Sequence, residues 1–241
     1  MSADHSVADL LPNALEMVTR SLRRLTGRAR LLTLGLLPFL PVALIAGALA
    51  AVLPGEAFVV AGPVATSPRA MAFFLLVPVL LMVPGVLLFT ALARTLADVP
   101  DARLWPWTPV HTRVLTRLLP LALPSMVAGA AGLPLVALAL GALLLRFSPM
   151  LRTAALGDTM GPRAAWRAFQ GTYLETLLAA ALLAAVAGIA AEVVLYLVST
   201  VLPPMLTTGV AAGFYGYLGA LILALVLADR QEAAGDPPAD G

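Results

Sequence analysis

Apolar positions along the chain fall into long unbroken tracts rather than short alternating runs. Leu31–Leu53 and Met71–Ala93 are 23 residues each and free of charge, and a helix needs about 20 apolar residues to cross the ~30 Å hydrocarbon layer. Each tract holds two prolines, Pro38 and Pro41 in the first and Pro78 and Pro84 in the second. Kinks are predicted there, with the freed carbonyls satisfied by neighbouring helices or hydroxyls. Further on, 36 positions from Val193 to Ala228 carry no charge and are broken only by "LPPML". Pro203–Pro204 end one helix and let another begin, which predicts spans over 174–198 and 205–227.

The middle tract, Leu118 to Leu145, is uncharged for 28 positions. As one helix it would be ~42 Å long, and with the N-terminus inside it would leave nine arginines on the inner side and six outside. If the chain instead turns at "AGAAGLP" (128–134), fourteen arginines lie inside and only Arg69 outside. The tendency of basic residues to stay cytoplasmic favours the turn, and Gly129, Gly132 and Pro134 supply its chemistry. The limbs, 113–129 and 132–150, sit at the lower limit for a crossing. They are two short spans or a re-entrant pair that stops partway, and both arrangements keep the two termini cytoplasmic. The expected fold is therefore an all-α polytopic membrane bundle of about six helices, spanning 31–228 as one domain, with a disordered cytoplasmic tail over 229–241.

Before the first span, in the segment 1–30, Leu11, Leu15, Val18, Leu22 and Leu25 recur at spacings of 4, 3, 4 and 3, among Arg20, Arg23, Arg24, Arg28 and Arg30. This is an amphipathic helix with Pro12 in its first turn. Its apolar face either enters the inner leaflet, with the arginines drawn to anionic headgroups, or packs on the protein's own spans. Trp105 and Trp107, in the loop "RTLADVPDARLWPWTPVHTR", suit the headgroup level. The spacings of Asp98, Asp101 and His111 in that loop match no metal-ligand motif. In the last loop, Asp158 or Thr159 is expected to cap a short helix opening at Pro162. Trp166 and Phe169 fall on one side of it, and Arg163 and Arg167 on another.

Composition agrees. The chain is 61% hydrophobic and 12% charged, with a mean hydropathy of +0.95, where soluble domains carry about 25% charged residues. Lipid is its solvent. A net charge of +2 gives no reason to expect nucleic acid as a partner. The fifteen basic residues are all arginine, and no cysteine is present, which excludes disulfides, thiolate metal sites and cysteine nucleophiles. A cleaved signal peptide is not expected, because the first apolar run starts only at Leu31 and is too long for a signal core. The HExxH and GxSxG patterns and the phosphate-binding glycine loop are absent, so neither enzymatic activity nor a cofactor is expected.

The order of parts resembles a known family. "LLPNALEMVTRSLRRL" runs into a span with "LPFLP", and "RFSPMLRTAALGDTMGPRAAWRAF" precedes another long span. This is similar to the six-helix membrane domain of some bacterial glycerophosphodiester phosphodiesterases and its stand-alone inner-membrane relatives. Asp158, Gly161, Pro162 and Ala164–Ala165 look like the acidic residue, Gly or Pro turn and Ala-rich amphipathic helix that precede the fifth span in that family. A serine that often follows the alanines there has no counterpart here. The resemblance extends over most of residues 10–228 and implies six helices and a bacterial inner-membrane location. The last span leads into the polar "DRQEAAGDPPADG", so phosphodiesterase activity is not expected.

Glu192, in "GIAAEVVLYL", is the ionisable residue that lies within a span, toward the outer end of its helix. An intramembrane acid is costly and marks a candidate site for proton or cation coupling; the favoured alternative is a protonated or hydrogen-bonded structural acid near the outer headgroups, since no second acid accompanies it. The partners expected at its depth are Arg69 and the hydroxyls of Tyr196, Thr207 and Thr208. Gly209 and Gly213 form a GxxxG pattern that Ala212, Gly216, Ala220 and Ala224 continue as a close-packing stripe. It packs helices within one protomer, with a homodimer seam as the alternative. Two functions follow as expectations. One is a non-enzymatic membrane protein that organises anionic lipid or serves as an accessory subunit to a protein partner. The other is a small transporter or channel component with Glu192 in its pathway.

Overall fold

In a computed structural model of the chain, residues 7–25, 28–52, 68–99 and 104–235 are described. Among them the regular structure is entirely helical: α1 (Val7–Leu25), α2 (Ala29–Leu36), a single 3-10 turn (Leu37–Phe39), α3 (Leu40–Val52), α4 (Pro68–Leu96), α5 (Pro109–Ala130), α6 (Pro134–Phe147), α7 (Pro149–Leu156), α8 (Pro162–Ala168), α9 (Tyr173–Ser199) and α10 (Pro204–Gly235). Four of these stretches are long and apolar enough to cross a membrane: Ala29–Val52, Ala72–Leu96, Tyr173–Ser199 and Pro204–Leu227. The protein is an integral multi-pass membrane protein. Pro38 sits in the 3-10 turn that breaks the first span, whereas Pro78 and Pro84 are carried inside an uninterrupted α4. α10 continues to Gly235, into the segment expected to be a tail, and residues 236–241 lie outside the described ones.

The middle tract doubles back. α5 ends in a Schellman motif, in which Leu133 N–H donates to Ala128 O at 2.9 Å and Gly132 N–H to Gly129 O at 3.0 Å. Gly132 takes φ 75°, the left-handed conformation that the motif requires and that a Cβ would oppose. Pro134 then opens α6 from its first position. Ser125 Oγ donates across the hairpin to Ala137 O at 2.8 Å, a polar tie suited to an apolar medium. The uncharged part of α5, Leu118–Ala130, is only 13 residues, ~20 Å at 1.5 Å per residue, and α5 is not among the four qualifying spans. α6 and α7 form a pair bent by 43° that would count as a fifth.

Small residues set the closest helix crossing. A Cβ on Gly209 would lie 2.1 Å from Ala43 O, and one on Gly213 would lie 3.1 Å from Ala43 Cβ. α10 therefore lies directly on the backbone of α3, where a Cβ on Gly47 would in turn lie 3.1 Å from Met205 O. Gly216 faces Leu81 on α4 instead. Lipid offers no hydrophobic drive for helices to associate, so van der Waals contact at such crossings carries much of the packing.

The amphipathic α1 is oriented differently from the expected stripe. Ala14, Met17 and Val18 are buried with Ala179, Leu183 and Val226, while Leu11 and Leu15 are 52% and 48% exposed. Small Ala14 lets α1 approach α9 closely, and Asn13 Nδ2 donates to Glu175 Oε1 at 2.9 Å. The helix thus has one apolar edge on the bundle and another facing out. The side chains of Leu22 and Leu25 lie outside the described residues.

Gly209→Ala should destabilise the fold by about 3 kcal/mol, the upper end for overpacking, because the clash is with backbone. Gly219→Ala, whose Cβ would meet nothing within 4 Å, should be neutral or stabilising by up to ~1 kcal/mol. Unfolding of both variants in mild detergent checks this, and equal stability would refute the close crossing.

Candidate functional site

One end of the bundle gathers the arginines. Arg94, at the end of α4, donates to Ala155 O at 3.5 Å, and Arg113, at the start of α5, to Gly157 O at 3.1 Å. Both carbonyls belong to the C-terminal turn of α7, where unsatisfied acceptors and the negative end of the helix dipole favour a cation. Arg117 reaches Met150 O at 2.9 Å, and Arg146 reaches Phe169 O at the end of α8 at 3.0 Å. Arg152 is buried and donates to Leu227 O of α10. The Arg146 guanidinium also lies over the rings of Trp166 (4.6 Å) and Tyr173 (4.8 Å). Phe169, expected beside Trp166 at the interface, is instead 1% exposed in the main core, whereas Trp166 is exposed. Asp158 and Thr159 do not cap α8. Its N-cap is Gly161, because Pro162 occupies the first helical position and leaves the two polar residues upstream, where Asp158 N–H closes α7 on Thr153 O at 2.9 Å.

At the same end, Thr108 and His111 form a capping box that starts α5, with His111 Nδ1 accepting from Thr108 N–H at 2.9 Å. His111 is buried, and desolvation together with the nearby Arg94 charge lowers its pKa below the ordinary 6.5. Asp98 is exposed, and Asp101 lies outside the described residues.

On the exposed side of α9, Glu192 accepts a hydrogen bond from Tyr215 Oη of α10 at 2.5 Å. Its expected partners are elsewhere. Tyr196 is 71% exposed, and the Thr207 and Thr208 hydroxyls donate to carbonyls of their own helix or the turn before it. Arg69 lies in the first turn of α4, and its side chain is outside the described residues. Glu175, also on α9, is 17 residues from Glu192, ~26 Å along the helix, so α9 carries no run of adjacent acids for a proton relay. The Tyr215 partnership left a trace in the sequence. Glu192 is eleven residues before Pro203 and Tyr215 eleven after Pro204, so an antiparallel hairpin about the two prolines sets them side by side.

Tyr215 also lines a cavity of about 450 Å³ between α4, α5 and α10, which α6 and α7 border with Leu144 and Leu151. Its walls are Met82, Gly85 and Phe89 from α4, Leu118, Ala122 and Met126 from α5, and Gly216, Gly219 and Ala220 from α10. Small residues on all three helices, Gly85, Ala122, Gly216, Gly219 and Ala220, make up part of its wall. Tyr215 contributes the one polar side chain among the lining residues. The volume lies within the ~300–1,000 Å³ usual for ligand sites. No protein-family model, no curated protein and no solved structure matches the chain.

The lowered His111 pKa has a defined pH consequence. In the folded state His111 binds its proton less readily than in the unfolded chain, so its contribution is intact above about pH 6.5 and is lost as pH falls through the lowered value. Wild-type protein in detergent should melt at lower temperature near pH 5 than above pH 7, and His111→Gln should flatten that dependence. An identical pH response in both would remove His111 as the cause.

Proposed function

We propose that this chain is a non-enzymatic, lipid-interacting protein of a bacterial cytoplasmic membrane. It crosses the bilayer six times, with α5 and α6 as short third and fourth spans and both termini on the cytosolic side. The topology is supported by the collection of Arg94, Arg113, Arg117, Arg146 and Arg152 at one end, opposite the first turn of α4 that bears Arg69, because basic loops stay cytoplasmic. From Arg113 to Ala131, α5 and its cap cover 19 residues, a rise of ~27 Å, which brings the turn close to the far surface of the hydrocarbon layer.

The observation that carries the lipid reading is the fixed attitude of α1. Ala14, Met17 and Val18 and the Asn13–Glu175 bond hold it on α9 and α10, so exposed Leu11 and Leu15 and exposed Arg20 and Arg23 are presented outward together. An apolar edge beside basic groups at the charged end of a membrane bundle suits the acyl–headgroup boundary. Each arginine near an anionic leaflet contributes about 1 kcal/mol. The Glu16–Arg20 pair at 3.8 Å is a surface pair of small value and does not compete with that attraction.

Two measurements test these statements. Since the chain lacks cysteine, Ala131→Cys and Asp158→Cys can be labelled singly in intact cells. Ala131→Cys should react with an impermeant maleimide from outside and Asp158→Cys only after permeabilisation, and the reverse pattern would overturn the topology. In nanodiscs, amide exchange of residues 10–20 should slow when anionic lipid replaces zwitterionic lipid. The protection should weaken with salt and disappear in Arg20→Gln/Arg23→Gln; equal exchange in both lipids would refute the headgroup role.

A further inference from the structure

The cavity, whose wall is exposed at Tyr215 and Gly219, calls for an occupant of a particular kind. Along α4 it runs from Pro78 to Phe89, and along α5 from Val114 to Met126. These are eleven and twelve steps along the helices, or ~16 and ~18 Å of helix rise. A volume of about 450 Å³ over that length has room for a hydrocarbon strand with carbons in contact at ~3.5–4.0 Å on each side. The slot runs parallel to the membrane-crossing helices, the direction in which lipid tails lie.

Its chemistry excludes water as the filling. A buried water needs 2–4 polar partners, and the lining side chains offer only the Tyr215 hydroxyl, whose proton is already donated to Glu192. Left empty, the wall would forfeit dispersion contacts along its whole length. An apolar strand restores them at no cost in hydrogen bonds. The bilayer around the protein supplies such strands at high concentration, and half-exposed Tyr215 sets one edge of the slot against that medium.

We propose that the slot between α4, α5 and α10 is a lipid site that holds an acyl chain of a bilayer lipid, with the Tyr215–Glu192 pair at its rim. The site is separate from the headgroup contact of α1 and does not depend on it. It gives the small residues Gly85, Ala122 and Gly219 a shared role: they keep the slot open.

The test uses the full-length protein reconstituted in vesicles of phosphatidylethanolamine that carries a diazirine in one acyl chain, with adducts mapped by mass spectrometry. Met82 lines the slot and is 4% exposed, so lipid that merely surrounds the protein does not reach it. Ile189 on α9 is 70% exposed and reports that surrounding lipid. Wild-type protein should be labelled at both positions. In Gly219→Leu, the new side chain stands on the slot wall where no neighbour lies within 4 Å. Met82 labelling should there fall about tenfold while Ile189 labelling is unchanged. Should that variant lack a cooperative unfolding transition, Ala122→Leu on the facing helix makes the same comparison. Labelling of Ile189 without Met82 in wild-type protein overturns the site, and so does undiminished Met82 labelling in a folded variant.

Discussion

A guanidinium cannot be left in hydrocarbon, and a helix end cannot leave its carbonyls bare there. The architecture answers both demands with one set of bonds. Arg94 and Arg113 close on the C-terminal carbonyls of α7, Arg146 on the end of α8, Arg117 on the start of α7, and Arg152 on α10. Each cation satisfies orphan or shared acceptors, and the C-terminal ends of α7 and α8 supply partial negative charge to Arg94, Arg113 and Arg146 where the chain has few acids to offer. The collar ties α4, α5, α6, α7, α8 and α10 at one level. It also explains why the short helices α7 and α8 are needed: they present carbonyls at the depth where the arginines emerge from the spans.

Away from the collar the packing follows different physics. Between the spans there is no water to expel, so stability depends on how closely backbones approach and on the few polar ties available. At the α3–α10 crossing, Gly209 and Gly47 bring backbone against backbone. Between α4, α5 and α10, the small residues Gly85, Ala122, Gly216 and Gly219 form part of the wall of the slot. The same residue class thus makes a backbone-to-backbone contact in one place and lines an opening in another. α3 packs directly on α10, whereas α5, across the slot, pairs with α6 and α4.

α9 is the helix least enclosed by the others: 17% of its most apolar window is buried, against 33% to 44% for the other three long spans. It nevertheless carries the two acids of the spanning region with distinct fates. Glu175 is buried at the collar level and bonded to Asn13 of α1. Glu192 lies on the exposed side, bonded to Tyr215 at the rim of the slot. The first acid anchors the surface helix to the bundle, and the second marks where the interior opens toward lipid.

Much of this was legible in the sequence. Uninterrupted apolar length identified four spans, because crossing ~30 Å of hydrocarbon demands it. The arginine distribution with Gly132 and Pro134 revealed the doubling back of the middle tract, because local turn chemistry and charge both act through chain position. Facing relationships were decided only in three dimensions. Periodicity showed that α1 is amphipathic, but Ala14 and Met17 rather than Leu11 and Leu15 meet α9, since close approach favours the smaller side chain. α8 opens at Pro162 as its sequence predicts, but its N-cap is Gly161 rather than Asp158 or Thr159. Glu192 was conspicuous as an acid among apolar residues, yet its partner depended on how α10 is rotated about its axis, which turns on distant contacts with α3 and α4. A one-dimensional chain records what each residue tolerates around it. Which neighbours fill that surrounding, and where none does, is set by the mutual fit of helices far apart in sequence.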